Sequence, residues 1–295
     1  VYLPFGDLYV GRQAISWGNA HVINPTNILA PFSFTSLNTE HTRGIDAARL
    51  RMPLGAMGEV DLGYVAGDEF DYEKSAAFAR GKTYLAGTDL SLLVMDFREN
   101  LMVGLDAAGS IGGAGGWVEA AYVLPGTFSV DGSSGSANGP ETDLQYLTAS
   151  AGIDYNFGEK LYGYAEYHFN SPGKSDPGDY AKISRDLQLQ PEERPAYSEG
   201  SVYLLGRHYV GLGGTYKITP LLPASGLLLV NASDLSANLS LSLEYNFTEN
   251  VYLEGGAYLG LGEEPKLKGE LAPVTEYESE FGAYPDLYYL SVKLY

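Results

Sequence analysis

Cysteine is missing from all 295 residues, which excludes a disulfide framework and a thiolate metal site and suits a chain that crosses an oxidising compartment, where stray thiols would mispair. Also missing is any run of the roughly 18 apolar residues that a membrane-spanning helix requires. The most apolar stretches are broken by Gly, Ser, Asp or Glu every second or third position, so a helical membrane protein is excluded. Positive charge is scarce. The 18 Lys+Arg stand against 37 Asp+Glu, a formal charge of −19, and that field repels nucleic acid and favours cations near the surface. The four histidines, His21, His41, His168 and His208, show no metal-ligand spacing such as HExxH. The sequence opens at Val1 with no basic or apolar leader, so a signal peptide has been cleaved or lies outside it.

Glycine and tyrosine, at 37 and 24 residues, are abundant, and they sit in segments of about ten residues with alternating polarity, the pattern of a transmembrane β-barrel. From Leu239 to Phe247, Leu239, Leu241, Leu243, Tyr245 and Phe247 share one strand face while Ser240, Ser242, Glu244 and Asn246 share the other. Val251–Leu261 repeats the design after a join of only Thr248, Glu249 and Asn250. Leu147–Phe157 and Leu161–Phe169, joined by 158 to 160, form a second such hairpin. In the last segment Tyr288, Leu290, Val292 and Leu294 oppose Tyr289, Ser291 and Lys293. Tyr295 falls out of phase, and one further aromatic residue is expected to follow it in the gene.

Weaker candidates at 8–17, 44–54, 58–67, 83–97, 100–109, 116–124, 201–218, 225–232 and 285–295 bring the count to thirteen. Bacterial single-chain barrels have an even strand number, so one strand is hidden, and Thr127–Val130 is its expected place. The expectation is a closed antiparallel transmembrane β-barrel of about 14 strands, with 12 and 16 as the neighbouring counts, forming a single domain over 1–295 in the bacterial outer membrane. Short joins such as 54–58, 158–160 and 248–250 belong on the periplasmic side. The long connections 18–43, 68–82, 125–143, 170–200 and 262–284 belong outside the cell.

Several stretches carry a family likeness: GRQAISWG at 11–18, NPTN at 24–27, PF at 31–32, RGIDAARLRMPLG at 43–55, GIDYNFGEKLYGYAEYHFNS at 152–171 and GRHYVGL at 206–212. Together they resemble a loosely described family of proteobacterial porin-like outer-membrane proteins. The resemblance implies an outer-membrane barrel and brings no agreed substrate and no catalytic residue.

Alternation places Arg49, Arg51, Asp61, Glu119, Asp154, Glu166, His168, Arg207, Glu244 and Glu254 on the wet face, where charge tunes which ions pass. Each can equally brace the wall through cross-strand pairing worth ~0.2–1 kcal/mol. Acidic members outnumber basic ones, so the expected function is passive diffusion of small solutes or ions with modest cation preference. The segment His21–Phe34 is apolar and contains two prolines; it either folds inward and narrows the channel or packs over the mouth, and Arg12, Arg43, Arg49 and Arg51 flank it. No cofactor and no metal is called for. The acidic clusters Asp68, Glu69, Asp71, Glu73 and Glu263, Glu264, Glu276, Glu278, Glu280 have oxygens that suit Ca²⁺, although solvated loop charge accounts for them equally.

Two other functions compete. The barrel can act as a sheath or scaffold for a periplasmic partner or an export or electron-transfer complex, in which case the lumen is occupied and conducts little. A lipid hydrolase built on the YHFNS stretch at 167–171 needs a nucleophile within reach of His168, yet alternation turns His168 away from lipid. Partners are therefore outer-membrane lipid and small solutes or ions, with a homo-oligomer or a periplasmic protein as further candidates.

Overall fold

A computed structural model describes residues 1–29, 44–128, 145–189, 194–198, 202–268 and 274–294. The chain divides into two compact units. The first holds Val1–Ile111, Gly116–Ala151 and Asp186–Tyr203, and the second holds Gly112–Gly115, Gly152–Arg185 and Leu204–Tyr295.

The first unit contains β1 (Tyr2–Leu3), β2 (Gly6–Gln13), β3 (Ile45–Leu54), β4 (Gly58–Val65), β5 (Ala76–Leu85), β6 (Thr88–Phe97), β7 (Asn100–Ile111), most of β8 (Ala114–Leu124) and the first half of β9 (Tyr146–Phe157). The second contains the remainder of β9, then β10 (Leu161–Asn170), β11 (His208–Thr219), β12 (Leu222–Asn231), β13 (Ser236–Thr248), β14 (Val251–Leu261), the small hairpin β15 (Lys266–Lys268) and β16 (Val274–Glu276), and β17 (Leu287–Leu294). One sheet of fifteen strands runs in chain order from β1 to β14 and then β17. Since β1 is two residues long and folds straight back on β2 through Tyr2↔Asp7, fourteen strands of crossing length remain.

Of Thr127–Val130, Thr127 and Phe128 are turn and the last two residues lie outside the described set. The additional strand is β5, whose residues 76–82 were expected in the long connection 68–82 and whose end, 83–85, was expected inside the segment 83–97; β5 and β6 meet at a two-residue turn, with Leu85 paired to Thr88. Both central residues, Ala86 and Gly87, have positive φ, 52° and 85°. That is the geometry demanded by the hairpin turns that match strand twist. Alanine rarely supplies it, so the usual Asn-Gly or Asp-Gly signal was absent. The turn between β6 and β7 repeats the device with Arg98 and Glu99 at φ 49° and 67°.

Successive connections of a sequential antiparallel sheet leave from alternate edges, and here they differ in length. On one edge the joins β3–β4, β5–β6, β7–β8, β9–β10, β11–β12 and β13–β14 are two or three residues each; on the other β2–β3, β4–β5, β8–β9, β10–β11 and β14–β17 are long, and β6–β7 and β12–β13 are short turns of two and four residues. The segment 201–218 is only partly strand: β11 begins at His208, and 202–207 is not regular strand. Inside 170–200 lies a helix, α1 (Tyr180–Leu189). It follows a turn in which the Asp176 carboxylate accepts from the Gly178 N–H at 2.9 Å, and it is pinned by the buried Tyr180 and Ile183, three residues apart on one helical face. No described helix is long and apolar enough to cross a membrane.

The alternation is physical. On β6, Leu90, Leu92 and Val94 are exposed while Ser91, Leu93, Met95 and Phe97 are buried; on β17, Tyr288, Leu290, Val292 and Leu294 are exposed and Tyr289, Ser291 and Lys293 are half-buried. An exposed face of Leu, Val, Ile and aromatic side chains therefore backs an inner face that is polar or covered by chain. In the second unit the outer face also carries an apolar groove of about 780 Å³, walled by Tyr155, Phe157, Leu212 and Tyr216 and floored by Gly163 and Gly226.

Candidate functional site

The inner face of the first unit is a ladder of opposite charges. Arg49 on β3 grips Asp61 on β4, its Nε 2.8 Å from Oδ1 and its Nη2 2.5 Å from Oδ2, and Asp61 is 1% exposed. One step along, Arg51 donates to Glu59 at 2.5 Å. On β5 and β6, Arg80 donates to the Ser91 hydroxyl at 2.8 Å, Ser91 donates to Asp106 on β7, and Lys82 lies 3.2 Å from Asp89. Side chains paired across neighbouring strands point to the same side, so the basic residues of β3 and β5 meet the acidic ones of β4, β6 and β7 on one face. Burial separates the rungs in strength. Arg49→Ala is expected to strand the buried Asp61 charge and cost about 3–5 kcal/mol, whereas Arg51→Ala, at a half-exposed pair, should cost no more than ~1 kcal/mol. Urea midpoints of the two purified variants would check this, and equal small losses would refute it.

Glu119 has a different place. It is fully buried on β8, and its two oxygens accept from the backbone N–H groups of Asn19 (2.9 Å), Ala20 (3.1 Å) and Thr26 (2.8 Å) and from the Thr26 hydroxyl (2.8 Å). The connection after β2 thus lies on the inner face, at least over residues 14–29. Trp17 meets the Phe78 ring edge-on at 4.7 Å, His21 stacks on Trp117 at 4.0 Å, and Ser150 donates to the Ile23 carbonyl at 2.6 Å. Gly18, at φ +94°, is required there, since a Cβ would stand 2.5 Å from a Glu119 oxygen. Of the segment His21–Phe34, residues 21–29 are described and meet Glu119, Trp117 and Ser150; residues 30–34, and Arg43, lie outside the described set. Arg12 is not near a constriction: it pairs with Asp46 at 2.8 Å on the outer face shared by Val10 and Ala48, because their register puts Arg12 opposite Asp46 and Val10 opposite Ala48.

In the second unit the inner face is tyrosine and carboxylate. Asp154 accepts from the Tyr162 hydroxyl and the Gly115 N–H, both at 3.2 Å. Glu166 and His168 follow Tyr162 and Tyr164 along the same face of β10 and are buried. Glu244 and Glu254 share Lys293, at 3.5 and 2.7 Å, and Glu254 also accepts from the Tyr289 hydroxyl at 2.7 Å. Arg207 precedes β11 instead of lying within it; its Nε donates to the Gly173 carbonyl at 3.0 Å, so strand alternation does not govern where it points.

A second infolded piece lies at residues 279–281. Glu280 is 1% exposed and accepts from the Leu205 N–H (2.9 Å), the Tyr209 hydroxyl (2.5 Å) and the Asn231 amide (2.8 Å), while its own N–H donates to Asp234 at 2.8 Å. Burial, reinforced by the nearby Asp234 charge, pushes its carboxyl up to about 7 against the pull of those donors. Phe281 is fully buried beside it. Of the acidic clusters, Glu263 and Glu278 are paired with Lys266 at 3.2 and 3.3 Å, and Asp71 caps a turn by accepting from the Glu73 N–H. Among the described residues no three His, Asp or Glu side chains are grouped to hold a metal ion.

Sequence reasoning passed over Asp106, Arg80 and Ser91, and placed Lys293 on the polar face of the last strand without giving it a partner. Asp106 and Ser91 were findable by alternation with Leu105 and Leu92; Arg80 lay in the stretch expected as the connection 68–82. Glu280 was singled out only within an acidic loop cluster.

No protein-family model matches the chain, and no curated protein does. Among solved structures, a double variant of OccD1 (OprD) is similar at a TM-score of 0.50 and 9% identity, over 86% of this chain and 69% of that one. The fold is porin-like. A triple variant of the porin of Rhodopseudomonas blastica aligns at a TM-score of 0.44 and 12% identity, over 79% of this chain and 77% of that one. At 9% identity the fold alone is what the chain shares with OccD1.

Proposed function

We propose that the chain is an outer-membrane channel for passive diffusion of small solutes or ions, built as a single barrel domain. One observation carries the reading: fourteen sequential antiparallel strands present an exposed apolar face on one side and a charged face on the other. Exposed apolar surface on this scale is stable only in a nonpolar solvent. In hydrocarbon every edge N–H and C=O must be paired, so a spanning sheet closes on itself; about fourteen strands then enclose more space than side chains fill. The glycine-floored outer groove suits acyl chains. The edge whose joins are all short sits on the periplasmic side, and the edge that carries the long connections sits outside the cell.

Residues 14–29, bound to Glu119, narrow the channel. Modest cation preference follows from the inner-face charges. In the first unit Arg49, Arg51, Arg80 and Lys82 are nearly balanced by Glu59, Asp61, Asp89, Asp106 and Glu119, whereas in the second Asp154, Glu166, Glu244 and Glu254 outweigh Lys293. The infolded segments fit a sheath awaiting a partner less well, because they occupy the inner face themselves. A lipid hydrolase finds no support where His168 is buried on the inner face.

Single-channel recording of the refolded chain in a planar bilayer tests this directly. Under a tenfold salt gradient, steady openings with a reversal potential displaced toward the cation are expected. A folded, heat-modifiable protein that never conducts would overturn the channel, and a reversal displaced toward the anion would overturn the selectivity.

A further inference from the structure

Two tyrosines on the inner face of the second unit lie flat on the wall. Tyr164 is the direct cross-strand partner of Gly213, and a Cβ on that glycine would run into the ring at Cζ, Cε2 and the hydroxyl. Tyr289 is likewise the partner of Gly256, where a Cβ would come within 2.6 Å of the ring. Glycine at these positions makes a seat for an aromatic ring. Tyr289 also stacks against Tyr258, ring centres 5.9 Å apart at 27°, and both Tyr164 and Tyr289 are half-buried, so part of each side chain stays exposed.

At Tyr164 the surroundings are acidic. Tyr162 lies next to it, ring centres 6.0 Å apart at 45°, and its hydroxyl is held by Asp154. Gly115 makes the room for that carboxylate, since a Cβ there would be 2.5 Å from Asp154 Oδ1. Glu166 is the next residue of β10 on the same face, with His168 beyond it; across the strand, Thr215 and Ser225 contribute hydroxyls 2.8 Å apart. The face of an aromatic ring carries partial negative charge and attracts cations, most strongly when water is displaced. Carboxylates beside it act in the same sense at longer range.

We propose that Tyr162, Tyr164, Asp154 and Glu166 form a binding station for positively charged organic solutes bearing a quaternary or aromatic ammonium group. This deepens the channel reading and rests on it: the station selects, among permeating cations, those with a poorly hydrated head. Compact inorganic cations keep their water and pass with little retention. Neutral aromatic solutes lack the charge that both ring and carboxylate favour.

Benzyltrimethylammonium is the probe, benzyl alcohol its neutral counterpart, and the protein is the full chain refolded in detergent micelles. Titration calorimetry is expected to show saturable binding of the cation and none of the alcohol at equal concentration. Tyr164→Leu should weaken binding roughly three- to tenfold, the scale of a partly desolvated cation–π contact, while Tyr164→Phe, which keeps the ring, retains it; Asp154→Asn weakens it as well. If Tyr164→Leu fails to give a heat-modifiable band, Tyr162→Leu against Tyr162→Phe reads the same contrast. Absence of binding, equal binding of the alcohol, or equal binding by the Leu and Phe variants overturns the station. Bilayer recording of the same samples judges the channel separately: conduction without binding removes the station and leaves the channel, and binding without conduction does the reverse.

Discussion

Replacing Glu119 with alanine is expected to release residues 18–26 from the inner face and to raise single-channel conductance. In the intact protein one buried carboxylate satisfies three backbone N–H groups and a hydroxyl contributed by two separate turns of the infolded segment. Each buried donor left unpaired costs about 1–3 kcal/mol. Once the carboxylate is gone, the cheapest response is for the segment to leave the wall and pair its donors with water. The loss should therefore be several kcal/mol locally while the strand ladder survives. Hydrogen exchange would read it as lost protection at Asn19, Ala20 and Thr26 with β6 and β7 unchanged. Protection at those amides equal to that of the unaltered chain would show that the apolar contacts of Ile15, Trp17 and Ile23 hold the segment unaided. Gly18→Ala should approach the same phenotype, because its methyl would have to displace the carboxylate.

The second large effect is a pH dependence centred on Glu280. Its carboxyl holds a proton up to about pH 7 in the docked state, against about 4.3 for an exposed glutamate. A raised carboxyl value means that docking is favoured most fully below the exposed value and that this contribution is lost as pH rises through the docked one. The window is thus about pH 4.3 to 7, and the loss approaches about 4 kcal/mol at ~1.4 kcal/mol per unit. The groups that face Glu280 are Asp234, Tyr209, Tyr180 and Tyr284, of which the Asp234 carboxylate disfavours its ionisation. Exchange rates around residues 279–284, corrected for intrinsic pH dependence, should rise through the window. In Glu280→Gln that rise should vanish. A pH response that persists in the glutamine variant would assign it elsewhere.

Much of the fold was readable because a membrane-type sheet writes its two solvents into alternate residues. Leu239–Phe247 and Leu147–Phe157 needed nothing but a period of two. What escaped was written in another way. Leu85 and Thr88 flank a turn whose positive φ values fall on alanine and glycine, so the end of β5 merged with β6 while its residues 76–82 were left to the connection 68–82. The helix at Tyr180–Leu189 was hidden in a stretch read only as loop, although Tyr180 and Ile183 carry a three-residue spacing. Arg49, Asp61, Asp154, Glu244 and Glu254 lie on the strand face that alternation gave them, opposite the exposed apolar residues. The part played by Glu119 was invisible, since alternation tells which way a side chain points and nothing about the segment that arrives from a hundred residues away to meet it.

The contrast between the two inner faces has an evolutionary consequence. On β3 to β7 each ion pairs with a neighbour, so changing one residue exposes another and must be matched by a second change; such a wall drifts slowly and in pairs. Tyr164 of β10 and Tyr289 of β17 are seated on glycine instead, and a glycine seat accepts any flat ring without a compensating substitution. Retuning for a new solute is therefore expected to begin at positions 164 and 289, with the charged ladder left nearly unaltered among close relatives.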